Sequence, residues 1–259
     1  MSPVGALALK LVLTPLLVGA ASLAGRRWGS AVGGWLIGIP FTSAPIAFFL
    51  ALDHGQRFAA IAAAGIVAGA ASQSAFCLAY SWTAQRLGWF GSLLAATLAF
   101  AAATALLAPV ALPALALFVV MIVVLVVALF LMPAHSGRAA GRIEYPPWDI
   151  PVRMVVATSF VIALTSAAPL LGPRLAGLLA PFPLYGAVLA SFAHRIQGAG
   201  PAVGVLRGLL LGLFAFASFF LVLALLLPSG IAIAFGSAIA AVLVVQSTSL
   251  IVGRRLGLA

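Results

Sequence analysis

The sequence predicts an all-α fold, a polytopic transmembrane helical bundle of about nine spans with an inverted-topology internal repeat. Three observations carry that prediction. Of 259 residues, 65% are hydrophobic and only 6% charged, with a mean hydropathy of +1.28; soluble globular domains carry about 25% charged residues. The apolar residues fall into runs of about 20, the length that crosses a hydrocarbon core. The two halves of the chain also match one another in the order of their prolines, glycines and cations.

Measured against that length, the spans run over 6–24, 33–52, 58–82, 89–108, 112–132, 151–171, 175–194, 202–227 and 230–251. The fourth and fifth are separated by the tight turn "APVALP", with Pro109 and Pro113. The one substantial loop, "AHSGRAAGRIEYPPWDI", follows the fifth span and holds two of the three acids, Glu144 and Asp149. Lys10 interrupts the first apolar run rather than preceding it, so no cleavable signal peptide is expected.

Thirteen Lys and Arg against three acids give a net charge of +10. In a soluble protein that balance points to nucleic acid; here the cations cluster at span ends, where the positive-inside bias accounts for them. Arg26, Arg27, Arg86, Arg138, Arg142, Arg153, Arg195, Arg207, Arg254 and Arg255 fall on one face, and Lys10, Arg57 and Arg174 on the other. The expected orientation is N-terminus outside and C-terminus cytoplasmic, in a cell inner membrane. The expected partners are the lipid bilayer and a small-molecule solute, with no nucleic acid. Cys77 is the only cysteine, so no internal disulfide forms.

The repeat appears at an offset of 143 residues, which pairs Lys10 with Arg153, Pro40 with Pro183, Phe49 with Phe192, Gly55 with Gly198, Gly65 with Gly208 and Gly69 with Gly212. At an offset of 145, "GSLLAATL" from Gly91 aligns with "GSAIAAVL" from Gly236. The chain therefore divides into a first four-span repeat (1–110), a linker helix and cytoplasmic loop (111–150) and a second four-span repeat (151–259). Span five, the odd crossing, inverts the second repeat relative to the first. This layout is shared by many secondary transporters.

"AGLLAPFPLYGAVLA" (176–190), then Gly198 and "LRGLLLG" (206–212), resemble the GlpM-like family of small bacterial inner-membrane proteins. Those chains are single repeats of about half this length, and the resemblance covers roughly 152–250. It implies a fold, a four-span unit able to pair with itself in opposite orientations, and no particular activity. The first half keeps Pro40 and Gly55 but has Ala64 where the second has Arg207.

No catalytic, metal or cofactor motif is present: there is no HExxH, no phosphate-binding glycine loop, and His54, His135 and His194 stand apart from any nucleophile-and-acid set. An enzyme is not expected. The sharpest signal is a pair of broken spans. Pro40 and Pro45 interrupt span two, Pro181 and Pro183 interrupt span seven, and breaks matched across repeats point to a transport site. Proline also makes simple packing kinks in membrane helices. The candidate substrate-binding residues are Pro40, Thr42, Ser43, Pro45, Pro183 and Tyr185 at the breaks. Arg207 supplies a charge two turns inside span eight, and Gln73 and Gln246 are polar groups facing the bundle interior. Glycine at every fourth position in spans three and eight lets backbones approach, and predicts that these two spans cross. Lys10 and Asp53 should pair across spans one and two. No Asp or Glu lies within a span, so a small anionic, zwitterionic or neutral solute is favoured over a cation. Two functions follow: a permease or channel with its site between spans two and seven, or a non-transporting assembly or regulatory partner. The first expects a polar cavity between the repeats; the second expects dry packing.

Overall fold

The computed structural model describes residues 5, 7–20, 22–23, 40–133 and 149–255, with side chains in the last stretch from 150 to 248. Residues 33–39 of the expected second span, Arg26, Arg27, Arg138, Arg142, His135 and Glu144 lie outside the described residues, as do the side chains of Asp149, Arg254 and Arg255. The described residues are helical throughout apart from short connections. The helices are α1 (Leu7–Ala20), α2 (Ser43–His54), α3 (Gln56–Thr83), α4 (Trp89–Leu107), α5 (Ala114–Leu131), α6 (Asp149–Leu179), α7 (Leu184–Gln197), α8 (Ala199–Leu226) and α9 (Ile231–Arg255).

Six of these, α3, α4, α5, α6, α8 and α9, are long and apolar enough to cross a membrane. An all-helical fold with several such helices is compatible with a multi-pass integral membrane protein. At 12 and 14 residues, α2 and α7 are too short to span alone. The expected turn between spans four and five is present, closed by Val110 N–H donating to Leu107 O at 3.0 Å.

Burial sorts the helices into a centre and a rim. In α3 and α8 the most apolar stretch is 67% and 56% buried, against 22% in α4, α5 and α9. The central pair pack against each other, α3 also against α4, α5 and α6, and α8 against α7 and α9. The composition explains this. The buried length of α3 is built from Ala, Gly and Ser (Ala59, Ala62, Ala63, Gly65, Gly69, Ala70, Ser72), which let neighbouring backbones close in. In contrast α5 is Val- and Leu-rich and leaves Val119, Val123 and Phe130 exposed, as a lipid-facing helix does.

The same order of parts occurs twice. A short helix (α2 or α7) ends at a positive-φ glycine, Gly55 (φ 87, ψ 165) or Gly198 (φ 93, ψ −173), and a 28-residue helix (α3 or α8) follows at once. Such angles are tolerated by glycine because it has no Cβ. Without that freedom the short helix could not turn directly into the long one.

Candidate functional site

Span seven, expected over 175–194 with Pro181 and Pro183 interrupting it, is broken at those prolines but differs in where its first part begins. Helix α6 runs past its expected end at 171 and bends at Gly172 (φ 75, ψ 163), with Pro169 and Pro173 to either side. Its last piece, 173–179, is closed by Ala180 N–H donating to Ala176 O at 3.1 Å. The chain then turns through 180–183 and restarts as α7. The cause is local: Pro181 and Pro183 have no N–H to continue a helical ladder. Phe182 N–H instead donates to Leu179 O at 3.0 Å, and Leu184 N–H to Phe182 O at 2.8 Å. The Phe182 ring anchors the turn among Phe76 of α3, Phe100 of α4 and Phe160 of α6, at centroid distances of 6.1, 5.2 and 6.4 Å.

Among the described residues, span two begins at its own prolines. Pro40 precedes α2, Thr42 is its N-cap without a side-chain cap bond, and Ala44 N–H donates to Pro40 O at 2.8 Å. The structure brings the two breaks together. Ser43 Oγ, in a residue only 2% exposed, donates to Ala180 O at 2.9 Å. A carbonyl left orphaned in that interior would cost roughly 1–3 kcal/mol, so this bond ties the breaks to each other. Pro40, Pro45 and Pro183 are buried beside it, and Thr42 and Tyr185 are half-buried.

Helix α3 lies along the second break with almost no gap. A Cβ added at Gly65 would stand 2.7 Å from Arg174 O; one at Gly69 would stand 2.6 Å from Leu178 O and 2.8 Å from Pro181 Cγ. From the other side, Gly177 faces Ala62 O. Helices α3 and α8 pack together, but the close glycine contacts of α3 go to 174–181. Gly208 of α8 has open space where a Cβ would go. Gly177 was not singled out in the sequence, although it stands 143 residues after Gly34, the spacing of the other repeat pairs.

Gln73 lies on the same α3 face, one turn past Gly69 and one turn before Phe76. It is 5% exposed and its Oε1 has no hydrogen-bond partner. Its neighbour Ser72 accepts from Thr104 Oγ1 at 2.9 Å, joining α3 to α4. Most other hydroxyls within the long helices fold back on their own helices, as Ser74 does to Ala70 O and Thr158 to Met154 O. Gln246, also 5% exposed, sits on α9, a helix packed on α8 rather than on the breaks. Arg207 is half-buried on α8, two turns in as expected, with its Nε unpartnered and no hydrogen bond to either break.

Lys10 and Arg153, which the 143-residue offset sets opposite one another, are more deeply placed than end-of-helix anchors. Lys10 is 7% exposed; its Nζ is 2.7 Å from Asp53 Oδ2, the pairing expected, and 5.4 Å from the Phe49 ring centre. Arg153, 6% exposed, lays its guanidinium over the Tyr185 ring at 4.6 Å. The Tyr185 hydroxyl is 3.5 Å from Ser22 Oγ. At the far end of α7, Tyr80 Oη and His194 Nδ1 stand 3.4 Å apart.

Among the described residues no group of three or more His, Cys, Asp or Glu could hold a metal ion. A surface cleft of about 400 Å³, lined by Trp82, Thr83, Gln85, Arg86 and Leu87, lies at the α3–α4 turn and takes in none of the break residues. No protein-family model, curated protein or solved structure matches the chain.

Proposed function

We propose that the chain is a permease or channel for a small, non-cationic solute, with nine spans arranged as two inverted four-span repeats. Spans two and seven are each a discontinuous helix, and the site lies where they meet. The observation that carries the reading is the Ser43–Ala180 bond, which joins the two proline breaks in the interior. Matched discontinuous helices of this kind place free backbone groups at mid-membrane, where they bind solute or coupling ion. The two glycine-linked pairs of short and 28-residue helices, 143 residues apart, support the repeat. So does the GlpM-like resemblance of the second half. The site residues are Pro40, Thr42, Ser43, Pro45, Pro183, Tyr185 and Gln73; Arg207 and Gln246 serve the approach. N-terminus outside and C-terminus cytoplasmic, in a bacterial inner membrane, follows from the charge bias.

The test is solute flux in vesicles reconstituted with purified protein. Thr42→Val and Arg207→Ala should each abolish uptake while leaving the thermal unfolding of the protein unchanged. Unchanged flux in both variants overturns the reading.

One observation favours a second reading, a non-transporting assembly partner. Ser43, Pro45 and Pro183 are buried, and Ser72 and Thr104 satisfy each other helix to helix, which is how a dry scaffold packs. No flux of any solute, together with a defined partner helix bound in the membrane, supports that alternative.

A further inference from the structure

We infer that the turn at 180–183 binds a small monovalent inorganic anion. The anion is held between the Gln73 carboxamide and the first-turn N–H groups of α7. This names the solute class at the site of the proposed function and rests on that placement.

The 14-residue helix α7 starts behind Pro183 with no side-chain cap. Leu184 and Ala187 donate to Phe182 O and Pro183 O, and the N–H groups of Tyr185 and Gly186 between them have no backbone acceptor among the described residues. Away from water, such N–H groups at the positive end of a helix draw negative charge.

The second observation is independent of the helix end. Gln73 is 5% exposed and its Oε1 has no partner, an anomaly for a buried polar group. The residues one turn to either side of it on α3 touch the break: Gly69 faces Leu178 O and Pro181 Cγ, and Phe76 meets Phe182. Gln73 is therefore aimed at the turn. A half-turn of its carboxamide plane exchanges acceptor for donor, so it can present N–H to an anion without moving its stem.

The field has the right sign. The described acid nearest in sequence to the breaks, Asp53, is at the opposite end of α2 and paired with Lys10. The buried Arg153 guanidinium lies over Tyr185, the second residue of α7. Size follows from packing: the backbone approaches at Gly65, Gly69 and Gly177, and the buried prolines, close the turn too tightly for an organic acid, which limits the ligand to a small ion.

The test is thermal unfolding of the full-length protein in detergent, titrated with chloride, fluoride or nitrate at constant ionic strength against gluconate. A saturable rise in Tm with at least one of these anions is expected, unchanged when sodium is replaced by potassium or choline. Gln73→Leu and the isosteric Gln73→Glu should each weaken the apparent affinity at least tenfold. No saturable rise in the unmodified protein, a rise that follows the cation, or an equal rise in both variants overturns the inference. Anion binding without flux in vesicles keeps this site and overturns the permease. Flux of a neutral solute with no anion effect keeps the permease and overturns this site.

Discussion

A methyl group added at Gly177 would run into the Ala62 carbonyl oxygen and stand 3.0 Å from Gly65 Cα, both backbone atoms that cannot rotate away. Gly177→Ala should therefore destabilise the protein by about 3 kcal/mol, at or beyond the upper end of ordinary overpacking. Gly208→Ala, with open space around it, should be neutral or slightly stabilising, since alanine is the better helix former. Unfolding midpoints of the two variants in detergent check this pair; similar losses in both would contradict it. The Lys10–Asp53 contact gives a second prediction at this scale. With side chains 9% and 22% exposed, removing Asp53 alone strands a buried ammonium. Asp53→Leu should cost on the order of 3 kcal/mol, and the double variant Lys10→Met/Asp53→Leu should recover most of it. A double-mutant cycle reads the difference directly. That pair was legible in the sequence, because both residues fall at the ends of adjoining spans. The partner of Arg153 was not. Its ring neighbour Tyr185 is set by where α7 restarts, which depends on how the 180–183 turn closes.

At the scale of elements, the prolines announced the breaks, and the reason is covalent: a missing donor and a ring clash act wherever the residue stands. Their extent was less legible. The bounds of span seven read as 175–194 because Leu178, Leu179, Ala180 and Phe182 are as apolar as a helix core, and hydropathy does not say where a buried turn begins and ends. Nor could periodicity say that the α3 glycines serve 174–181 rather than α8, since a small-residue face fits any close neighbour. The junction glycines make the sharpest prediction for elements. Gly55 and Gly198 have nothing within 4 Å of an added Cβ, so substitution there acts through backbone strain alone. Gly55→Ala and Gly198→Ala should each cost roughly 1–3 kcal/mol, and by similar amounts. Circular dichroism melts that separate the two by more than this range would break the equivalence of the junctions.

For the whole molecule, composition alone makes the membrane reading strong, since a surface of Leu106, Phe130 and Leu170, at 76%, 86% and 91% exposed, suits lipid. Orientation rests on charge and can be measured simply. Cys77 is the single cysteine and is fully buried, so the protein should not react with a membrane-impermeant maleimide. Arg57→Cys should label from outside intact cells, and Arg86→Cys only after permeabilisation. Labelling of both from one side would reject the span count between them. The count of nine adds to the six long helices three short ones, α1, α2 and α7, which a ruler of about 20 residues does not tell from full spans.

The interlock of Gly65, Gly69 and Gly177 has a mechanical consequence. Segment 173–179 meshes with α3 like a key in its slot, backbone against backbone, so the two must travel as one rigid body. Any motion that parts the breaks has to be carried by the other members, α2 and α7, each pivoting on its terminal glycine, Gly55 or Gly198. The two breaks are then unlike in anchoring: one is fixed on α3, and the hydroxyl of Ser43 is the tie that holds α2 to it.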